Sequence, residues 1–236
     1  MNNYRRGFTI IETMLVLAIT GLVASVILAG IGVNLRNEQY RTAVDQIVDY
    51  FQGQYTRVTA VQNDRSTGSC STAGIATGDD TRGQSNCFIV GRILKKEPGA
   101  PVIKSYPAVA LNEVTSAAPG EDAKVAFINS RIVLGSPEEP YDVSSESGVK
   151  LTDKTGNDPG FTILIARSPV TGRIHTYVMS GAQATLNLNS FEEQEVTMCV
   201  NSNGLLNSGI TPSAIRIEKY AANASGVSLL GQGECN

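Results

Sequence analysis

The sequence predicts an α+β protein: a long N-terminal α-helix, apolar in its first half and amphipathic in its second, packed on an antiparallel β-sheet head. Three observations predict this class. Residues 8–33 form an apolar run whose only charge is Glu12. Tyr40, Val44, Ile47, Phe51, Tyr55, Val58 and Val61 or Gln62 then recur at three- and four-residue steps between Arg41, Asp45, Asp49 and Arg57, which is the period of a helix with one packing face. Beyond the turn-forming stretch Asn63-Asp64-Arg65-Ser66-Thr67-Gly68, short β-branched runs bounded by Gly, Pro, Asn and Ser take over.

The chain of 236 residues has room for an anchor plus one domain, and its 42% hydrophobic content supports a sizeable core. A net charge of −3 and a pI near 5.3 give no electrostatic reason to expect nucleic acid as a partner. No like-charge block, low-complexity tract or fixed-period repeat interrupts the sequence.

The elements follow in order. Residues 1–7 are a short basic leader containing Arg5 and Arg6. Residues 8–33 amount to about 39 Å of helix, enough to cross a hydrocarbon core of about 30 Å with tilt, and too long for the apolar region of a secretory signal. Arg5 and Arg6 stay cytoplasmic by the positive-inside tendency, so everything after residue 33 lies outside. Residues 34–64 are the amphipathic half, and residues 65–236 the head. Gly21, Gly30, Gly32 and Gly53 each cost about 1 kcal/mol relative to alanine in a helix, so local melting around residues 21–32 is one expectation and close helix contact through small residues the other.

The stretch Arg5-Arg6-Gly7-Phe8-Thr9-Ile10-Ile11-Glu12, followed by the apolar helix, resembles the processing signal of type IV pilins and pseudopilins. The resemblance implies that a prepilin peptidase cuts after Gly7, leaving Phe8 as an N-methylated terminus. It also implies that Glu12 is the acidic assembly residue of these families, with other pilin subunits and an inner-membrane assembly platform as partners. The physics of the residues agrees. A carboxylate at mid-bilayer is expensive, but Glu12 lies only about 6 Å from the new terminus, where a helix dipole and a cationic amine favour it. In a growing fibre it can attract the Phe8 amine of an adjacent subunit where little water competes. The bland alternative makes Glu12 an interfacial residue of a plain anchor, paired only with its own Phe8.

In the head, residues 87–94, 124–128, 131–134, 161–166, 173–179, 197–200 and 214–218 read as strands. Pro169-Val170-Thr171-Gly172 reads as a hairpin turn between two of them. The order of a strand, Ser-Pro-Val-Thr-Gly-Arg, another strand, a cysteine-bearing strand and Ala-Ile-Arg-Ile is weakly similar to the heads of minor pilins and H-type pseudopilins.

Cys70, Cys87, Cys199 and Cys235, outside the cytoplasm and even in number, suggest two disulfides among three connectivities. Local pairing of Cys70 with Cys87 and of Cys199 with Cys235 is favoured. Zinc is the other use of cysteine, but no Cys-x-x-Cys is present and the single histidine, His175, lies in a strand-like run, so no metal is expected. Asp153, Thr155, Asn157 and Asp158 form an oxygen-rich loop that reads either as a turn or as a calcium loop, the turn being preferred. Residues 138–142 read as a solvated acidic loop.

No nucleophile elbow, phosphate-cradling loop or histidine pair marks an enzyme, and no cofactor is expected. The function expected is that of a structural subunit, major or minor, of a type IV pilus-like filament. The precursor would sit in the cytoplasmic membrane with its head outside, surrounded by lipid, before joining a surface or periplasmic filament. The alternatives are a pseudopilin of a type II secretion or DNA-uptake system, a tip adhesin or DNA-binding minor pilin, and a monotopic membrane enzyme.

Overall fold

The computed structural model describes residues 9–60, 70–71, 74–75, 88–111, 123–135, 138–144, 148–182, 186–202, 212–231 and 233–235. Helix α1 spans Ile10–Thr59, about 75 Å of unbroken helix, and passes through Gly21, Gly30 and Gly53 without interruption. The expected continuation over residues 61–64, with Val61 or Gln62 in the stripe, lies outside the described residues. In chain order the remaining elements are β1 (Cys70–Ser71), β2 (Gly74–Ile75), β3 (Phe88–Lys96), β4 (Val102–Ala110), α2 (Ala123–Asn129), β5 (Ile132–Leu134) and β6 (Glu139–Asp142). They continue with β7 (Lys150–Thr152), β8 (Phe161–Arg167), β9 (Ile174–Ser180), β10 (Val196–Asn201), β11 (Ser213–Ile217) and β12 (Val227–Leu230).

The strands form three antiparallel groups. The large sheet has the order β5-β4-β3-β8-β9, with β6 also paired to β4; the second has the order β12-β11-β10-β7; β1 and β2 make a short ribbon. The α+β class, one long helix ahead of an antiparallel head, is thus the architecture of the protein.

The large sheet is buried on both faces because α1 lies on one and a second cluster on the other. Leu94, Ile163 and Ile165 point to the α1 side and join Tyr40, Val44, Ile47, Phe51, Tyr55 and Val58. Their alternating neighbours Ile93, Leu164 and Ala166 point away and join Phe127 of α2 and Phe191. The period of two in the strands thereby serves two cores. The main core also takes Leu151, Met198, Val200, Ile215, Ile217 and Val227 from the second sheet, so the helix stripe is shared by two sheets.

β3 and β8 approach closely at Gly91, where the register of β3 against β4 shifts after Ile89. A Cβ on Gly91 would overlap the backbone carbonyl of Ile165, so only glycine fits.

The structure changes three expectations. Residues 124–128 are helical, part of α2: Ala126 and Phe127 are buried while Val125 is exposed, and Arg131 at φ 51° turns the chain into β5. Residues 138–142 are no free loop, because β6 pairs with Val102–Ser105, Glu139 holds Arg57 and Arg92, and Glu138 just before the strand holds Lys104. β4 is an unforeseen strand, masked by Pro107. It is tolerated because β6 pairs with residues 102–105 and β5 with 108–110, leaving a gap between them. The Pro107 carbonyl accepts from Gly135 N on that same side, so the missing N–H falls where no strand needs it.

Candidate functional site

The N-terminal half of α1 is the feature that packing leaves unexplained. Ile10, Ile11, Leu17, Leu22 and Leu28 are all exposed, at 77%, 78%, 71%, 66% and 69%. The stretch Ile10–Leu28 has mean hydropathy 2.3 and none of it is buried inside the protein. A soluble chain would hide such a surface; here 19 residues, about 29 Å of helix, match the thickness of a bilayer core.

Glu12 sits in the first turn of this helix. Thr9 is the N-cap, its Oγ1 accepting a hydrogen bond from Glu12 N at 3.3 Å. Thr9-Ile10-Ile11-Glu12 is therefore the Thr-x-x-Glu arrangement of a capping box. That spacing was visible in the sequence, and the half of the box formed here is the Thr9 hydroxyl accepting from Glu12 N. The carboxylate also stands at the positive end of the helix dipole. Gly7 and Phe8 lie outside the described residues.

The C-terminal half of α1 is fixed to the head by polar contacts that the hydrophobic stripe did not reveal. Tyr40 Oη donates to Val200 O and accepts from Ser213 N, both at 2.7 Å, pinning the helix to β10 and the start of β11. Tyr55 Oη donates at 2.8 Å to Thr176 Oγ1, which in turn donates to Ala221 O at 2.8 Å. Burial pushes the Tyr55 phenol up to about 12. Gln52 Nε2 donates to Val227 O at 3.1 Å, and Arg167 reaches the Thr59 carbonyl at 3.0 Å, a cation at the helix C-terminus.

A charged cluster completes the helix–sheet junction. One oxygen of Glu139 on β6 accepts from both Arg57 on α1 and Arg92 on β3. Gln54 Oε1 accepts from Arg92 Nε at 3.3 Å and from Ser105 Oγ at 3.2 Å, while Tyr50 stacks on Tyr141 at 4.1 Å. Burial raises the Tyr50 phenol well above its usual range, against the lowering effect of Arg92. Glu138 takes Tyr106 Oη at 2.7 Å and Lys104 at 2.9 Å, and those hydrogen bonds lower its carboxyl.

Three other candidates resolve differently. Cys199 and Cys235 are joined by a disulfide across 5.8 Å between Cα atoms, tying the C-terminal residues to β10. A link between Cys70 and Cys87 lies outside the described residues, since Cys87 and the side chain of Cys70 are not described. His175 is a strand residue held by Glu193 at 2.9 Å. In the 153–158 loop, Asp153 Oδ1 accepts from Thr155 N, Thr155 Oγ1 and Asn157 N, which lowers its carboxyl, the Thr155 hydroxyl contributing most. Both oxygens of Asp158 meet the ammonium of Lys96, a residue 1% exposed, at 2.6 Å. The loop is a turn fastened by its own donors and by one buried lysine. Hollows of about 220 and 350 Å³ lie beside this ion pair.

Residues 2–28 match the family described as the prokaryotic N-terminal methylation motif. No curated protein and no solved structure matches the chain. The matched residues include Gly7, Phe8, Glu12 and most of the exposed apolar helix. The motif is typical of type IV pilins and pseudopilins. It implies prepilin-peptidase processing and assembly with other pilin subunits, and together with the exposed helix it fits a membrane-anchored precursor.

Proposed function

We propose that the chain is a structural subunit of a type IV pilus-like filament, cleaved between Gly7 and Phe8 and assembled through residues 8–33, with the head from about residue 65 carried outside the membrane. The observation that carries this reading is the uncovered apolar half of α1 with Glu12 at its start. A plain membrane anchor needs apolar residues only. A carboxylate retained at the end of such a helix gives a neighbouring subunit's amine something to find. The Cys199–Cys235 disulfide supports an oxidising compartment for the head. The same geometry serves a pseudopilin of a secretion or DNA-uptake system, which would place the filament in the periplasm.

The test separates capping from charge. Glu12→Gln retains a capping side chain and removes the charge, Glu12→Asp keeps the charge with shorter reach, and Glu12→Ala removes both. Membrane and sheared surface or periplasmic fractions are compared by immunoblot, with the mature N-terminus read by mass spectrometry. Glu12→Gln and Glu12→Ala are expected to be cleaved before Phe8, to stay in the membrane and to lose at least tenfold in filament yield, with Glu12→Asp between them and the wild type. Filament yield retained by Glu12→Gln would assign the residue to helix capping alone.

A further inference from the structure

The smaller of the two hollows beside the Lys96–Asp158 pair, about 220 Å³, has a lining that filament assembly through α1 does not use. It lies in the head between the edge of the large sheet, at residues 178–180, and the second sheet, at residues 151–153 and 196–198. Leu151, Phe161, Val178 and Met198 give its wall buried apolar side chains. The buried ammonium of Lys96 suggests an anion site, but both oxygens of Asp158 already meet it at 2.6 Å. Against that one cation the lining sets three anions, Asp153, Asp158 and Glu195, for a net charge of −2. Asp153 Oδ1 is held by the donors of its own loop. Glu195 is exposed and makes no ion pair or hydrogen bond among the described residues.

We infer that this hollow binds a primary ammonium carried on an unbranched chain of four or five carbons, either a free diamine or the lysine side chain of another polypeptide. An anion meets net repulsion from the lining. A metal ion lacks ligands, since no three of His, Cys, Asp and Glu converge among the described residues. A neutral apolar molecule gains nothing from Glu195. A cation on an aliphatic stem uses both parts of the wall: its methylenes lie on Leu151, Phe161 and Met198 while its head stays hydrated beside Glu195. The size agrees, because at about 30 Å³ per water the hollow has room for about seven waters, and a chain of about seven heavy atoms replaces them. Each methylene taken out of water strengthens binding about fourfold. The exposed charge pair adds up to about fivefold, so the stem supplies most of the affinity and Glu195 selects the sign of the head.

The full-length chain in a nonionic detergent is titrated with 1,5-diaminopentane and with N-acetyl-lysine methylamide, followed by saturation-transfer NMR of the added compound. 1,5-Pentanediol serves as a probe without charge and ammonium chloride as a competitor without a chain. At least one of the two amines is expected to bind with a dissociation constant below about 10 mM and at least threefold more tightly than the diol, and ammonium chloride is expected to displace it no more than sodium chloride does. Binding of one amine alone names the source, free or polypeptide-borne, and binding of both supports the shared chemistry. Glu195→Gln is expected to weaken binding about three- to fivefold, and Ser180→Trp, which places a large ring in the lining, to abolish it. Glu192→Gln, an exposed carboxylate outside the lining, is expected to leave binding unchanged. Near-ultraviolet circular dichroism checks that each variant is folded, and Thr197→Phe replaces Ser180→Trp if that chain is not. Equal binding of the diol, full affinity in Glu195→Gln, displacement specific to ammonium, or no transferred saturation from either amine at about 20 mM would overturn the assignment.

Discussion

Glu139 holds both Arg57 of α1 and Arg92 of β3 at the junction with β6, so removing its charge should loosen the helix from the head. Arg92 is the critical partner: its side chain is 7% exposed, whereas Glu139 is 39% and Arg57 41% exposed. Breaking a fully buried pair by deleting one partner costs about 3–5 kcal/mol, because the remaining charge is stranded. Water reaches the Glu139 end and Gln54 keeps its bond to Arg92, which brings the expected loss for Glu139→Gln to about 2 kcal/mol. Arg57→Gln strands nothing buried and should cost under about 1 kcal/mol. Glu139→Gln combined with Arg92→Met removes the buried cation together with its partner and should recover most of the loss. The chain has no tryptophan, so near-ultraviolet circular dichroism reports its tyrosines, including Tyr50 and Tyr55 at this junction. Followed this way in detergent, Glu139→Gln should lower the head's Tm by about 4–8 °C for a domain of this size. Equal losses for Glu139→Gln and Arg57→Gln, or no recovery in the double variant, would refute the stranded-arginine argument.

Three further outcomes are expected. Tyr55 titrates at about 12 in the folded head against an ordinary 10.0, so its contribution is whole below pH 10 and is lost as pH rises from 10 to 12; alkaline unfolding curves should show that loss, and Tyr55→Phe should flatten it. At the Lys96–Asp158 pair, Asp158→Asn leaves a buried ammonium unpaired and should destabilise by about 2–3 kcal/mol, whereas Lys96→Met leaves only a partly solvated carboxylate and should cost under about 1 kcal/mol, measured by urea denaturation. Non-reducing peptide mapping should recover Cys199 linked to Cys235 and, in a separate peptide, Cys70 linked to Cys87; cross-paired peptides would reject that local connectivity.

The residues of α1 determined most of what the protein's helix does before any tertiary contact was known. An apolar run cannot be soluble and unpartnered, and a period of three and four cannot pack as a strand, so the anchor and the docking stripe from Tyr40 to Val58 are dictated locally. The Gly-Phe sequence and Glu12 are likewise a linear signal, and so is the Thr9 capping box. Strands with β-branched runs, such as β8 and β9 around the Pro169–Gly172 turn, were legible for the same reason.

What the tertiary structure decided are the features whose energy comes from distant partners. Residues 124–128 have strand-like composition yet form α2, because burying Phe127 beneath Tyr177 and Phe191 outweighs a preference worth under about 1 kcal/mol. β4 carries a proline that argues against a strand, and only the gap between β5 and β6 makes it harmless. Glu139 and Lys96 look like surface residues in the sequence, since charged side chains ordinarily stay in water. Their partners are 82 and 62 residues away at Arg57 and Asp158, and a charge is stable in the interior only when the fold brings its counter-charge to it.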